Sequence, residues 1–207
     1  MSPIRPAFKL FGWFSVILSV SVISAWTALQ HPTPMKIIFR VGLVNTLVSA
    51  FWWLFDTRLW RIPSLRKFEF LNIPPDLNGR WVGTLKREGS SEAPHPFVME
   101  IFQTYSRVAV ITYSSQSKSL SISAQFVSDE SRTVFQLIHS WQAETRRMDD
   151  PEKSDEFYGT SIIEIENPRS ATAAEKTLRD HYFTRRIPHT RGRIEAKWNC
   201  AELLGKF

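Results

Sequence analysis

Two regimes of hydrophobic patterning divide the chain. Up to Phe55 the apolar residues come in long runs, and from Leu77 onward they alternate with polar ones. Leu10 to Leu29 is twenty residues without a charge, and Ile37 to Phe55 is nineteen with Arg40 as the only charged one. A helix needs about 20 apolar residues to cross a bilayer core, so the runs predict two membrane-spanning helices, 10–29 and 37–55. The link between them, Gln30 to Lys36, contains His31-Pro32-Thr33-Pro34. Each proline lacks a backbone donor and turns its predecessor away from helical geometry. The expectation is a tight helical hairpin over 1–56. A signal peptide fits less well, because its apolar stretch would be too long and a second run follows at once.

From Leu77 the period is two. Arg80–Lys86, Phe97–Tyr105, Arg107–Tyr113, Leu120–Phe126, Val134–Trp141, Phe157–Ile165, Leu178–Thr184 and Arg191–Trp198 read as eight strands, separated by Ser, Gly, Asp and Pro clusters. The best helix candidate in this half, Ala171–Lys176, is short. Eight sequential strands with short connections favour an eight-stranded antiparallel up-and-down β-barrel of lipocalin-like type over a sandwich. Residues 57–76, punctuated by Pro63, Pro74 and Pro75, form a connector. The barrel domain is 77–207. A barrel of this size either fills its interior with side chains or holds one small ligand.

Charge sharpens the division. Met1 to Leu77 carries eight Lys/Arg against three acids, +5, while the remainder carries eighteen against seventeen, +1. A basic nucleic-acid-binding face on the β-module is therefore not expected, and DNA and RNA are not partners. Arg5 and Lys9 precede the first run, and Arg58, Arg61, Arg66 and Lys67 follow the second. That bias places both termini in the cytoplasm. With Cys200 as the sole cysteine, no intrachain disulfide can form. The five histidines have no metal spacing, and phosphate-loop, serine-elbow and paired-acid motifs are missing. The expectation is a protein that is not an enzyme and uses no metal or cofactor. His139, on an alternating strand, reads as a surface or satisfied interior residue.

Small-residue rows mark both apolar runs, Ser15 and Ser19 then Ser21 and Ala25 in the first and Gly42, Thr46 and Ala50 in the second. Gly42, Thr46 and Ala50 share one face of the second helix, at the spacing that lets helices approach closely in lipid. They are candidate self-association residues for a homo-oligomer in the bilayer, although the same row also suits packing of the hairpin on itself. In the β-module the closing segment is the most informative. Tyr182, Thr184 and Arg186 share a face by parity, as do Thr190, Gly192, Ile194 and Trp198 on the next strand. Turned inward, they offer an aromatic ring, hydroxyls and a guanidinium, a set suited to an anionic ligand with flat bases. Arg193 is a second candidate cation, and Tyr105, Tyr113 and Tyr158 are further stacking candidates. Turned outward, the same residues are a polar strand end with solvated arginines, since alternation alone does not say which face is inside.

Two apolar spans, a short connector, Leu77-Asn78-Gly79-Arg80-Trp81-Val82-Gly83 opening the β-module, and Tyr182-Phe183-Thr184 with Thr190-Arg191-Gly192-Arg193-Ile194 closing it resemble one known arrangement. It is that of the two-transmembrane β-barrel effectors of bacterial CBASS antiphage systems. The likeness covers essentially the whole chain. It implies a cytosolic barrel that binds a cyclic dinucleotide made by a cGAS/DncV-like nucleotidyltransferase (CD-NTase). It also implies an inner-membrane location and ligand-driven association of the spans, ending in membrane damage and abortive death. The alternatives are a membrane-tethered carrier of a lipid or small metabolite, and an interaction scaffold with a solid barrel core.

Overall fold

The computed structural model describes residues 2–3, 12, 15–17, 19–24, 34–67, 73–115, 117–128, 135–146, 154–166, 176–185 and 189–205. They fall into two compact units. One comprises 1–4, 74–103 and 107–207; the other comprises 5–73 and 104–106.

The larger unit contains eight strands: β1 (Gly79–Arg87), β2 (His95–Gln103), β3 (Val108–Tyr113), β4 (Ser117–Ser128), β5 (Phe135–Arg146), β6 (Ser154–Ile165), β7 (Thr177–Thr184) and β8 (Arg191–Cys200). Each pairs antiparallel with its sequence neighbours, and β1 pairs with β8 to close an up-and-down barrel. The eight alternating segments thus form the expected barrel. Their ends differ most at β4 and β5, whose polar extremities pair together, Ser117 opposite Thr145. Hydrogen bonding carries that hairpin past the point where apolar alternation stops. A two-residue strand, Ser2–Pro3, adds to β4 at Ser128 and Val127. The helix expected over Ala171–Lys176 lies outside the described residues except for Lys176, which is buried and precedes β7.

Parity sets the interior. Leu137, His139, Trp141 and Ala143 of β5 point inward, as do Ser161 and Ile163 of β6, Leu178, Asp180, Tyr182 and Thr184 of β7, and Ile194 and Ala196 of β8. One end of the barrel is packed solid by Leu77, Trp81, Met99, Ile101, Val110, Leu137, Ile163 and Leu178. The Trp81 indole donates to the Leu77 carbonyl at 2.9 Å, and the Gln103 side chain ties Leu77 N–H and Pro75 O at 2.8 and 3.0 Å. The Trp81 indole and the Gln103 amide are therefore satisfied at this end, while the Trp198 indole nitrogen is buried without a partner. Gly83 lets β1 and β8 approach: a Cβ there would lie 2.6 Å from Ala196 Cα.

Part of the outer face is also buried. Arg80 pairs with Glu100 at 2.6 Å, and Glu100 accepts the backbone N–H of Leu204 at 2.8 Å and of Gly205 at 3.2 Å. The C-terminal segment thus covers an ion pair on the outside of β1 and β2.

The smaller unit contains helix α1 (Pro34–Thr57, 24 residues) and two short 3₁₀ turns, Leu59–Arg61 and Pro63–Lys67. Residues 15–17 and 19–24 are helical, while the link around His31–Thr33 lies outside the described residues. Phe55, Trp60 and Tyr105 form its core. Met35, Phe39, Leu43, Leu47, Phe51, Trp53 and Leu54 are exposed. Among the described residues no helix is long and apolar enough to cross a membrane. The expected two-helix transmembrane hairpin is thus not supported by these residues. Lys36, Arg40, Asn45, Thr46 and Ser49 interrupt the apolar run within α1.

Candidate functional site

The barrel is solid at one end and hollow at the other. A cavity of about 250 Å³ opens among the ends of β1 and β8 and the turns that join β3 to β4 and β7 to β8. Its volume lies just below the roughly 300–1,000 Å³ typical of small-molecule pockets. The wall carries Trp141, Phe157 and Tyr182 as rings, Ser119, Ser161, Thr184 and Thr190 as hydroxyls, and Arg87, His95, His139 and Asp180 as ionisable groups.

Glycines explain why the rings leave space. Gly159 stands opposite Trp141 across the β5–β6 ladder, and a Cβ there would lie 2.2 Å from the indole. Gly192 stands opposite Tyr182 across β7–β8, and a Cβ would meet that ring at 2.5 Å. Each ring lies over a neighbour without a side chain, so it follows the wall and leaves the centre open. Phe157 stands edge-on to Trp141, ring centroids 5.8 Å apart at 83°.

The polar groups fall into two sets. At the rim, Thr184 and Thr190 are bonded to each other through their hydroxyls at 2.6 Å, and Thr190 N–H donates to Thr184 Oγ1 at 3.1 Å. These bonds brace the β7–β8 turn and hold two hydroxyls side by side. Thr112 and Ser119 share a similar hydroxyl contact on the opposite wall. Deeper in, the Trp141 indole donates to Ser161 Oγ at 3.1 Å. Ser161 and the Ile162 backbone N–H in turn hydrogen-bond the Asp180 carboxyl. Burial pushes Asp180 up to about 7, against the pull of those two bonds. Burial likewise pushes His139 down to about 4, so its imidazole is neutral at physiological pH. Asp180 Oδ1 and both His139 ring nitrogens are buried without a hydrogen-bond partner.

Of the residues singled out from sequence, Tyr182, Thr184 and Thr190 line this cavity. Arg186 lies outside the described residues. Arg193 alternates outward on β8 and is exposed. Tyr113 points to the outer face, opposite in parity to cavity-lining Thr112, and hydrogen-bonds Glu100; burial first, then that carboxylate, raise its pKa. Tyr158 is 46% exposed on the outside of β6. Tyr105 follows β2 and stacks edge-on with Phe55 at 5.2 Å, in the core of the smaller unit. Gly42, Thr46 and Ala50 are exposed on α1, with Thr46 Oγ1 bonded to Gly42 O at 2.9 Å.

Sequence reading missed His139, Ser161, Asp180 and Trp141 as one group. The available signal was parity: His139 sits two residues from both Leu137 and Trp141, and Asp180 two from both Leu178 and Tyr182.

A closed antiparallel barrel with an aromatic-walled, polar-floored cavity at one end has the architecture of a small-ligand receptor. Residues 72–198, more than half of the 207-residue chain, match the family model of the Cap15 cyclic dinucleotide receptor domain, and the chain belongs to that family. No curated protein matches the chain.

Proposed function

We propose that this protein is a membrane-anchored effector of CBASS antiphage defence, with the barrel as its cyclic dinucleotide sensor. The observation that carries the reading is the hollow end. It offers stacking rings and unpartnered buried polar atoms in a domain whose family is defined by cyclic dinucleotide reception. The chain acts by binding rather than by catalysis, with no metal or cofactor. The messenger comes from a CD-NTase. Residues 77–207 form the sensor, 57–76 the connector and 1–56 the output segment, in the bacterial inner membrane with both termini cytoplasmic.

Support for the output step comes from the apolar runs and their flanking basic residues, and from the row of Gly42, Thr46 and Ala50 exposed on α1. Occupied barrels favour an assembled state, the spans associate, and the membrane is disrupted. The ligand can shift that equilibrium only by its differential affinity for the assembled form.

The test is a melting-temperature titration of the full chain in detergent micelles with a panel of cyclic dinucleotides at micromolar concentration. Ligand at a hundredfold excess over Kd adds about 2.7 kcal/mol. For a chain of this size that corresponds to a rise of roughly 5–10 °C. Tyr182→Ala and Thr190→Ala should shrink the rise. No shift across the panel, or a shift with fatty acids alone, contradicts the receptor reading; the latter indicates a carrier. In cells producing the messenger, Gly42→Leu combined with Ala50→Leu should reduce ligand-dependent toxicity. Unchanged toxicity removes that face from the mechanism.

A further inference from the structure

Three polar atoms on the cavity wall have no partner in the barrel: Asp180 Oδ1, His139 Nδ1 and His139 Nε2. Their side chains are 2% exposed. Leaving one such group unmade costs about 1–3 kcal/mol. A cavity that gathers three of them is set up for a ligand that completes them.

The polarity of the network says what kind. An indole N–H can only donate, so Trp141 fixes Ser161 Oγ as its acceptor, and the serine hydrogen turns to the carboxyl. The Ile162 N–H donates to the same carboxyl. Raised to about 7, Asp180 is partly ionised at neutral pH, and in that form its carboxylate offers about four lone-pair sites. Two are filled by the barrel, and Oδ1 of this cavity-lining residue is left without a partner. On the same cavity wall, with β6 between them, the neutral His139 imidazole carries one N–H donor. The wall therefore presents acceptor capacity for two incoming donors and, on the same cavity, one outgoing donor.

Resting on the receptor reading above, we propose that Asp180 and His139 read the Watson–Crick edge of a guanine base. Guanine N1–H and N2–H donate to the Asp180 carboxylate, and the His139 N–H donates to O6. Adenine and cytosine each carry one amino group beside a bare ring nitrogen, and uracil carries a single imino N–H. Only guanine sets two adjacent donors beside an acceptor. The others leave part of the carboxylate's acceptor capacity unfilled, and a site built for a hydrogen bond discriminates strongly against a ligand that lacks it. The volume of about 250 Å³ suits one inserted base flanked by Trp141 and Tyr182 better than a whole two-nucleotide ring. The phosphates then stay at the mouth, where Arg87 stands.

The experiment is calorimetric titration of the full chain with cyclic di-GMP, its hypoxanthine counterpart lacking the N2 amino group, and cyclic di-AMP. The guanine ring is expected to bind at least tenfold more tightly than either of the others. Asp180→Asn, whose amide turns a donor towards the guanine amino group, should erase that preference. Equal affinity for the guanine and hypoxanthine rings on the native chain overturns the assignment, whether or not the variant folds. So does a preference that survives in a folded Asp180→Asn chain. Tight binding of cyclic di-AMP alone overturns guanine reading and leaves the receptor standing, whereas no binding by any cyclic dinucleotide overturns both.

Discussion

Gly159 and Gly192 each lie beneath an aromatic ring of the cavity wall, and a methyl group at either would collide with it. Gly159→Ala meets both the Trp141 ring and the Phe183 carbonyl, and Gly192→Ala meets Tyr182 and the Lys86 carbonyl. Backbone on one side and a packed ring on the other leave little room to relax. Each substitution should destabilise the barrel by about 1–3 kcal/mol, the usual cost of overpacking, measurable as a lower urea midpoint. Unchanged midpoints would mean that the rings do not rest on these glycines. The same scale shows what was legible. Parity on two successive strands marks Tyr182, Thr184 and Thr190, and they share a wall because β7 and β8 pair. Tyr113 and Tyr158 were chosen for residue type, and the pleat turns them outward. His139 reads from sequence as a surface or satisfied interior residue, and nothing there singles out Asp180; the pleat places both among Leu137, Trp141, Leu178 and Tyr182. A side chain's chemistry gives a weaker indication of its direction than its register does.

Strands β5, β6 and β7 form a wall in which two ionisable groups oppose each other in their response to pH. Asp180 is raised from 3.8 to about 7, so the folded chain keeps a proton that the unfolded chain releases as pH rises from about 4 to 7. Its contribution is greatest in acid and is lost across that interval. His139 is lowered from 6.5 to about 4, so the unfolded chain takes up a proton that the folded chain refuses. Its contribution is present at neutral pH and lost as pH falls from 6.5 to 4. The other titratable groups on the cavity wall, Arg87, His95 and Tyr182, are common to every variant compared. Relative to the native chain, Asp180→Asn should therefore lose stability on acidification from pH 6.5 to 4. His139→Gln should gain stability relative to the native chain across the same range. Urea midpoints from pH 4 to pH 8 check both slopes, and slopes of the same sign in the two variants would contradict the assignment. The outer face of β1 and β2 holds a separate element, the Arg80–Glu100 pair under the C-terminal segment. Glu100→Gln removes the charge that the buried Arg80 guanidinium pairs with and weakens the grip on Leu204 and Gly205. The expected loss is about 3–5 kcal/mol, read from the same denaturation curves. This cluster was not legible, because nothing in β-strand alternation announces that a tail returns to cover an outer face.

For the molecule as a whole, eight alternating segments, turn clusters and short connections were enough to predict the barrel, since period two and short links leave few other closures. Its hollow end was not predictable from alternation, which marks faces but not how far side chains reach across the interior. The apolar N-terminal half is the region where patterning and structure part. The runs suggested two crossings, whereas among the described residues no helix is long and apolar enough for one. The charge division remains: the basic excess lies before Asn78 and leaves the barrel near neutrality, which favours a focused cavity over a basic surface. On the proposed reading, the cyclic dinucleotide enters the barrel. Photo-crosslinking of the full chain with an 8-azido cyclic dinucleotide, followed by mass spectrometry of the adducts, tests it directly because adjacent strand residues face opposite ways. Tyr182 is 7% exposed and lines the cavity, while Phe183 beside it is 47% exposed on the outer surface. Adducts are expected on Trp141, Phe157 and Tyr182, suppressed by excess unlabelled ligand; adducts confined to Tyr158, Phe183 or Arg193 would place the ligand on the outer surface instead.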